Sequence, residues 1–348
     1  MFQFLLGVLI FSSNLVLILW AIARANISLG SSVTLAVLAL PFVLMLPVTV
    51  SAQNAYITNN GGNTVSVIDT ASNTVAATIR VGNRPYGVAI TPDGAKLYVT
   101  NQEGTVSVID TATNTVTATI QVGNRPYGVA VTPDGGKVYV ANNEFFGSVS
   151  VIDTATDAVV GITVGSLPIG VAVTPNGASV YIANEYDDAV SVIDASNDTV
   201  TATILVNSVP LGVAVSQDGT KVFVTSPRSG TVSVIDTASN IVVGTIRSSF
   251  PFGVAVTPDG SKIYATHEGS PGTVSVIDTA SEAVIATINA GDSPVAFGKF
   301  IGGQPHRSSP IAVKESAVDQ TQLADRMTEE RAAVRFGWPG RLSSILAQ

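Results

Sequence analysis

Carboxylates are the side chains of this sequence best placed to do chemistry. Val-Ile-Asp occurs six times, ending at Asp69, Asp110, Asp153, Asp194, Asp236 and Asp278, and a carboxylate held in a cleft can act as a general acid or base. A carboxylate that returns once in every repeat, however, reads as a structural residue. Each of these is followed by a turn such as Asp-Thr-Ala, where an aspartate side chain caps backbone N–H groups as an Asx motif. The aspartate of the recurring Thr-Pro-Asp-Gly has the same status. His267 is the only histidine before residue 304. A serine nucleophile would need it as a base, oriented by a third group, but no Gly-x-Ser-x-Gly turn accompanies it. Glu185-Tyr186-Asp187-Asp188 places three carboxylates in one short loop, without the spacing or the glycine of an EF-hand. There is no cysteine, so disulfides and thiolate chemistry are excluded. The residues imply neither a catalytic constellation nor a metal site nor a cofactor, and the expectation is a protein that is not an enzyme.

The elements that must position these residues are set by a repeat. Successive Val-Ile-Asp aspartates lie 41, 43, 41, 42 and 42 residues apart. Pro-x-Gly-Val-Ala opens five units, at Pro85, Pro126, Pro168, Pro210 and Pro251, and a degraded copy follows at Pro294. Within the unit from Gly123 to Val164, four runs rich in β-branched residues fit pleated strands: 128–132, 137–142, 148–153 and 158–164. Thr132-Pro133-Asp134-Gly135 makes a tight hairpin between the first two, since proline presets φ and glycine accepts a positive one. No part of the unit carries apolar residues at helical spacing. Four antiparallel strands per unit, repeated radially, predict an all-β, six-bladed β-propeller. The repeats begin on a second strand at Ala55–Asn59 and end on a first strand at Pro294–Phe300. One C-terminal inner strand joining three N-terminal strands is therefore expected to close the ring and remove its exposed edges.

Tyr98-Val99-Thr100-Asn101, followed by Gly104-Thr105-Val106-Ser107-Val108-Ile109-Asp110, resembles the YVTN-repeat β-propeller family of surface-layer and cell-surface proteins. Variants stand at Tyr56–Asn59, Tyr139–Asn142 and Tyr181–Asn184, whereas Phe223–Ser226 and Tyr264–His267 lose the asparagine. The resemblance implies a propeller at the cell surface. It implies little about activity, because propellers host many unrelated functions. The asparagines of these strands are expected to satisfy loop backbone groups.

Three segments follow from composition: a hydrophobic leader at 1–52, the propeller at 53–303 and a tail at 304–348. Residues 4–23 are uncharged and long enough to span a bilayer. A second apolar run, 33–48, ends in Val50-Ser51-Ala52, small residues of the kind a signal peptidase reads. Either cleavage after Ala52 releases the propeller, or both runs remain as a membrane hairpin with Arg24 in its cytoplasmic turn. Both put the propeller outside the cytoplasm, secreted or anchored, with membrane contact only through the N-terminal segments. Residues 1–303 carry 11 Lys/Arg against 20 Asp/Glu, a net of −9, and the tail carries 6 against 5, a net of +1. An acidic domain without a basic stripe is a poor nucleic-acid binder. In the tail, 316–336 is charged and fits either a helix or a loosely docked segment.

The units differ from one another on one face. Strand order puts the fourth-to-first and second-to-third links together, and these vary in sequence while the hairpins of the other face repeat. The expected partner-binding residues are Arg84, Tyr86, Arg125, Tyr127, Phe145, Phe146, Tyr186, Phe250 and Phe252, since arginine and aromatics anchor interfaces. A protein or glycan at the cell surface is the expected partner. A lactonase-like hydrolase working in the central channel and a structural coat component are the alternatives. Asn197-Asp198-Thr199 is a lone glycosylation sequon.

Overall fold

The computed structural model describes residues 54–290. The fold is an all-β, six-bladed β-propeller whose sheets follow one another in chain order. The first sheet holds β1 (Asn54–Asn59), β2 (Thr64–Asp69) and β3 (Thr74–Arg80). The second holds β4 (Pro85–Ile90), β5 (Lys96–Asn101), β6 (Thr105–Asp110) and β7 (Thr115–Gln121), and the third β8 (Pro126–Val131), β9 (Lys137–Asn142), β10 (Ser148–Asp153) and β11 (Val159–Thr163). The fourth holds β12 (Pro168–Val173), β13 (Ser179–Asn184), β14 (Ala189–Asp194) and β15 (Thr199–Leu205). The fifth holds β16 (Val213–Val215), β17 (Lys221–Ser226), β18 (Thr231–Asp236) and β19 (Ile241–Arg247), and the sixth β20 (Pro251–Val256), β21 (Lys262–His267), β22 (Thr273–Asp278) and β23 (Ala283–Asn289). Every resolved pairing is antiparallel, and no α-helix occurs among the described residues. The leader, the closing strand expected at Pro294–Phe300 and the tail lie outside the described residues.

The chain divides by its contacts into two units. The first contains 54–57 and 64–80 of the described residues. Its β2 and β3 pair from Thr64↔Arg80 to Asp69↔Thr74 and bury Val65, Val67 and Ile79. The second contains 58–63 and 81–290 of the described residues. Within it the inner strands β4, β8, β12, β16 and β20 pack against one another in that order. The cores lie between consecutive sheets. One is built on Val106, Val108, Val138 and Val140, another on Val149, Val151, Val180 and Ile182, a third on Val190, Val192, Val222 and Val224, and a fourth on Val232, Val234, Ile263 and Ala265. Each Val or Ile so buried contributes about 1.5–3 kcal/mol, and the alternation of the second and third strands is what delivers them to the two faces of each sheet.

The turn chemistry matches the repeat. Asp69 Oδ1 accepts from the N–H groups of Ala71 and Ser72, both at 2.8 Å. Asp93 Oδ1 accepts from the Thr91 hydroxyl (2.6 Å) and Ala95 N–H (3.0 Å). These hydrogen bonds favour the ionised form, and in Asp259 the Thr257 hydroxyl, followed by Ser261, holds the carboxyl down at about 2. The repeated aspartates are turn caps.

The tyrosines in the middle of β9 and β13 reach the next blade. Tyr139 donates to Asp198 Oδ1 (2.6 Å), which also receives Lys137 Nζ on Oδ2 (2.8 Å), and Tyr181 donates to Asn240 Oδ1 (3.0 Å). The buried Tyr98 hydroxyl has no hydrogen-bond partner, and burial pushes its pKa up to about 12. Tyr139→Phe is therefore expected to cost about 1.5–3 kcal/mol, the range for a hydrogen bond to a charged group. Tyr98→Phe should be neutral or slightly stabilising. Equilibrium urea unfolding of the two variants checks the contrast.

Candidate functional site

The variable face of the second unit is built from interlocked links. Each fourth-to-first link ends in a residue immediately before a proline, and that residue is left-handed in five blades: Arg84 (φ 51°), Arg125 (50°), Leu167 (52°), Val209 (62°) and Phe250 (49°). The region is costly for a side chain, most of all for a β-branched one, so something must hold the backbone there. The second-to-third link of the same sheet does so. Gln102 N–H donates to Arg84 O (3.2 Å), Asn143 N–H to Arg125 O (3.0 Å) and Glu185 N–H to Leu167 O (3.0 Å). The acidic side chains of those links accept from the other side: Asn124 N–H to Glu144 Oε1 (3.0 Å), Ser166 N–H to Asp187 Oδ2 (2.7 Å) and Val209 N–H to Asp188 Oδ1 (2.8 Å). Asp187 and Asp188 are thus used as loop fasteners, and no group of three or more metal-ligating side chains occurs among the described residues.

The asparagines of the Tyr-Val-Thr-Asn strands do something other than expected. They donate to hydroxyls of the neighbouring strand rather than to loop backbone: Asn101 Nδ2 to Thr105 and Ser107, each at 3.0 Å, Asn142 to Ser148 (3.0 Å) and Ser150 (2.9 Å), and Asn184 to Ser191 (2.9 Å). The reason is steric. A glycine of the preceding link sits directly against each amide, and a Cβ on Gly82, Gly123 or Gly165 would lie 2.5–2.7 Å from the asparagine Cγ. Where the link residue is Asn207, the strand residue is Ser226, and the amide donates from the opposite side to Thr231 (3.0 Å) and Ser233 (3.4 Å). In the sixth sheet Ser248 pairs with His267, whose Nε2 lies 2.8 Å from Ser275 Oγ and whose Nδ1 meets Ser249 O. Burial lowers the His267 pKa. The imidazole is held as a replacement for the amide.

The threonine of the same motif joins blades. Gly87 N–H donates to Thr100 Oγ1 (2.7 Å), which donates in turn to Tyr127 O of the next sheet (2.7 Å). Thr225 repeats this between Gly212 N–H (2.8 Å) and Phe252 O (2.5 Å). The inner strands approach so closely that a Cβ on Gly87, Gly128 or Gly170 would collide with the carbonyl oxygen of Tyr127, Ile169 or Leu211. A cavity among the inner strands, lined by Gly87, Gly128, Gly170, Val88, Val129, Val171 and Val213, measures about 10 Å³, room for about one water.

The nine sequence-predicted binding residues separate into groups. Tyr86 and Tyr127 pack at a tilt with ring centroids 4.4 Å apart, and Tyr127 is only 5% exposed, so it supports Tyr86 from within. Burial, with Tyr127, Glu268 and Glu185 adding to it, pushes the Tyr86 pKa upward. Phe145, Phe146 and Tyr186 form a second group, with Phe145 4.9 Å from Tyr186 and 6.5 Å from Phe146. They are 56%, 90% and 62% exposed. Arg84 is exposed and Arg125 half-buried. Phe250 is exposed and Phe252 half-buried, and neither makes a ring contact with the others among the described residues.

Glu185, beside Tyr186 in the same link, was not among the predicted residues. Its Oε2 is buried with no hydrogen-bond donor. Burial raises its pKa, and Arg125 partly offsets this. A carboxyl raised on folding stabilises the fold most below its unfolded value of 4.5, and that contribution is lost as pH rises through the raised value. Glu185→Gln should therefore raise the melting temperature at pH 7, by roughly 2–4 °C per kcal/mol relieved. The difference should vanish below pH 4.5. Thermal melts across that range test it.

Comparison with known proteins places the architecture. No family model matches the chain. A stretch of 39 residues is 59% identical to part of the PE-PGRS family protein PE_PGRS18 of Mycobacterium tuberculosis (strain ATCC 25618 / H37Rv), covering 11% of this chain and 8% of that protein. The chain thus spans less than a tenth of that relative's length. Among solved structures it is similar to Kuenenia stuttgartiensis hydrazine synthase, with a TM-score of 0.63 and 24% identity over 69% of this chain and 84% of that one. A functionally unknown protein from Desulfotomaculum acetoxidans DSM 771 gives 0.63 and 18% over 69% and 81%. The Myceliophteria thermophila Cps50 (Swd1) β-propeller domain gives 0.57 and 13% over 69% and 87%. Likeness at these identities is a likeness of fold, and the fold it supports is the β-propeller.

Proposed function

We propose that this chain is a YVTN-type β-propeller that acts outside the cytoplasm as a non-enzymatic scaffold, binding a protein or glycan at the cell surface through its variable face. One observation carries the reading: Phe145, Phe146 and Tyr186 form a contiguous aromatic cluster that is more than half exposed at every ring. Large exposed aromatics in contact with each other mark interaction sites, and truncating such anchors typically costs 2 kcal/mol or more, about thirtyfold or more in affinity. On the same variable face, Arg84, Tyr86, Arg125 and Phe250 are further candidate contacts, with Tyr127 packed against Tyr86 and Phe252 half-buried. Export rests on the apolar leader at 1–52, and the YVTN assignment on the repeat itself.

The test uses the full chain. Labelled protein is applied to intact cells of the producing organism, beside a variant with Phe145, Phe146 and Tyr186 replaced by alanine. The expected result is saturable binding that the triple variant loses while its melting temperature is kept. Equal binding by both proteins overturns the reading.

A further inference from the structure

The outer strand of the third blade differs from those of the other five. In the first, second, fourth, fifth and sixth sheets the outer strand is seven residues long and carries an extra residue that interrupts its pairing. The shift lies between Val67/Ile68, Val108/Ile109, Val192/Ile193, Val234/Ile235 and Val276/Ile277 of the third strand. Bulges of this kind twist a sheet edge away and keep other chains from pairing with it. β11 is five residues long and pairs with β10 without interruption, from Ser148↔Thr163 to Ile152↔Val159. The sequence explains why: Ile120 follows Asp110 by ten positions, whereas Ile162 follows Asp153 by nine. The missing residue is the one that Thr117 supplies in β7.

The result is a flat edge with no charged residue and no proline. Ala158 O accepts from Asp153 N–H and Val164 N–H donates to Gly147 O, so the even-numbered residues of this stretch face β10. By the alternation of an antiparallel ladder, Val159, Gly161 and Thr163 turn their N–H and C=O groups outward. Val160 is 60% exposed, and a Cβ on Gly161 would meet nothing within 4 Å. The far end of this edge runs into the aromatic cluster, since Val164 is bonded to Gly147, the residue after Phe146. We infer that β11 takes up an extended segment of a partner protein as an additional antiparallel strand, with an apolar residue of that segment seated on Phe145, Phe146 and Tyr186. The inference rests on the aromatic face being a binding face, and it specifies the partner as a polypeptide. A second copy of the chain is the weaker occupant. Two folded propellers meeting at five-residue edges would bury well under the roughly 1,200 Å² of a stable complex, whereas a flexible segment can follow the edge past Thr163 onto the rings.

The experiment pans the full chain against a phage-displayed library of random dodecapeptides. The expected result is enrichment of Val-, Ile- and Thr-rich peptides with one aromatic or aliphatic anchor, whose binding slows amide exchange at Val159, Gly161 and Thr163. Gly161→Pro removes an outward N–H without breaking a ladder bond and should weaken binding at least about tenfold. Insertion of a threonine between Val159 and Val160, which restores the bulge, should do the same, while Gly161→Ala should bind as the parent does. Peptides that ignore both edge variants but are lost with Phe146→Ala overturn the strand addition and leave the aromatic face standing. Failure to enrich any peptide, or a dimer in sedimentation that Gly161→Pro dissociates, also overturns it.

Discussion

Replacing Gly128 by alanine is expected to destabilise the protein by about 3 kcal/mol, at the upper end for added volume in a packed interior. The new Cβ would sit on the carbonyl oxygen of Ile169, a backbone atom on the inner strand of the next blade, so no side-chain rotation relieves the contact. The strand must retreat, and the inner-strand packing it shares with β4 and β12 opens with it. Gly170→Ala should behave alike against Leu211 O. Gly161→Ala is the control: it adds the same methyl to a strand with nothing within 4 Å and should stabilise by about 0.5–1 kcal/mol, because glycine in a strand loses more backbone entropy on folding. Urea denaturation of the three variants measures the series. A cost below 1 kcal/mol at Gly128 would show that the inner strands have slack.

The second large effect is a rescue. Gly123→Asn should be severely destabilising, because its Cβ would lie 2.5 Å from Asn142 Cγ, in a site where Asn142 is 1% exposed. Asn142→Ser should also cost about 1–2 kcal/mol, since it removes the amide that serves Ser148 and Ser150. Together they recreate the arrangement found at Asn207 and Ser226, and the double variant should recover most of the loss. A double-mutant cycle on unfolding free energies should return a coupling of at least about 2 kcal/mol, within the range for residues in direct contact. Additive single effects would sink the idea that the two positions share one volume.

Both predictions come from positions whose residue type is plain in the sequence but whose reason is not. The exchange of Gly82/Asn101, Gly123/Asn142 and Gly165/Asn184 for Asn207/Ser226 and Ser248/His267 is legible by laying the repeats side by side. Only contact across the link shows why the two columns change together. The same holds for the acidic loop at Glu185–Asp188: three carboxylates in a short loop look like a cation site, while Asp187 and Asp188 are engaged by backbone N–H groups of the preceding and following links, Ser166 and Val209. Glu185 escaped notice because its interest lies in burial, which a loop residue's type does not reveal.

By itself the sequence determined the all-β class, the number of blades, the hairpin turns, the capping role of the repeated aspartates and the face on which the units differ. These are properties of local chemistry and period, because β-branched alternation, Pro-Asp-Gly turns and Asx caps each act over a few residues. The tertiary structure decided what depends on distance between blades. It set how closely the inner strands approach one another, down to glycines with no room for a Cβ. It also decided which aromatics meet, Tyr86 tilted against Tyr127 and Phe145 packed against both Phe146 and Tyr186. And it turned a one-residue shortfall between Asp153 and Ile162 into an unprotected edge, since a deletion exposes a sheet only when the residue lost is the one that formed its bulge.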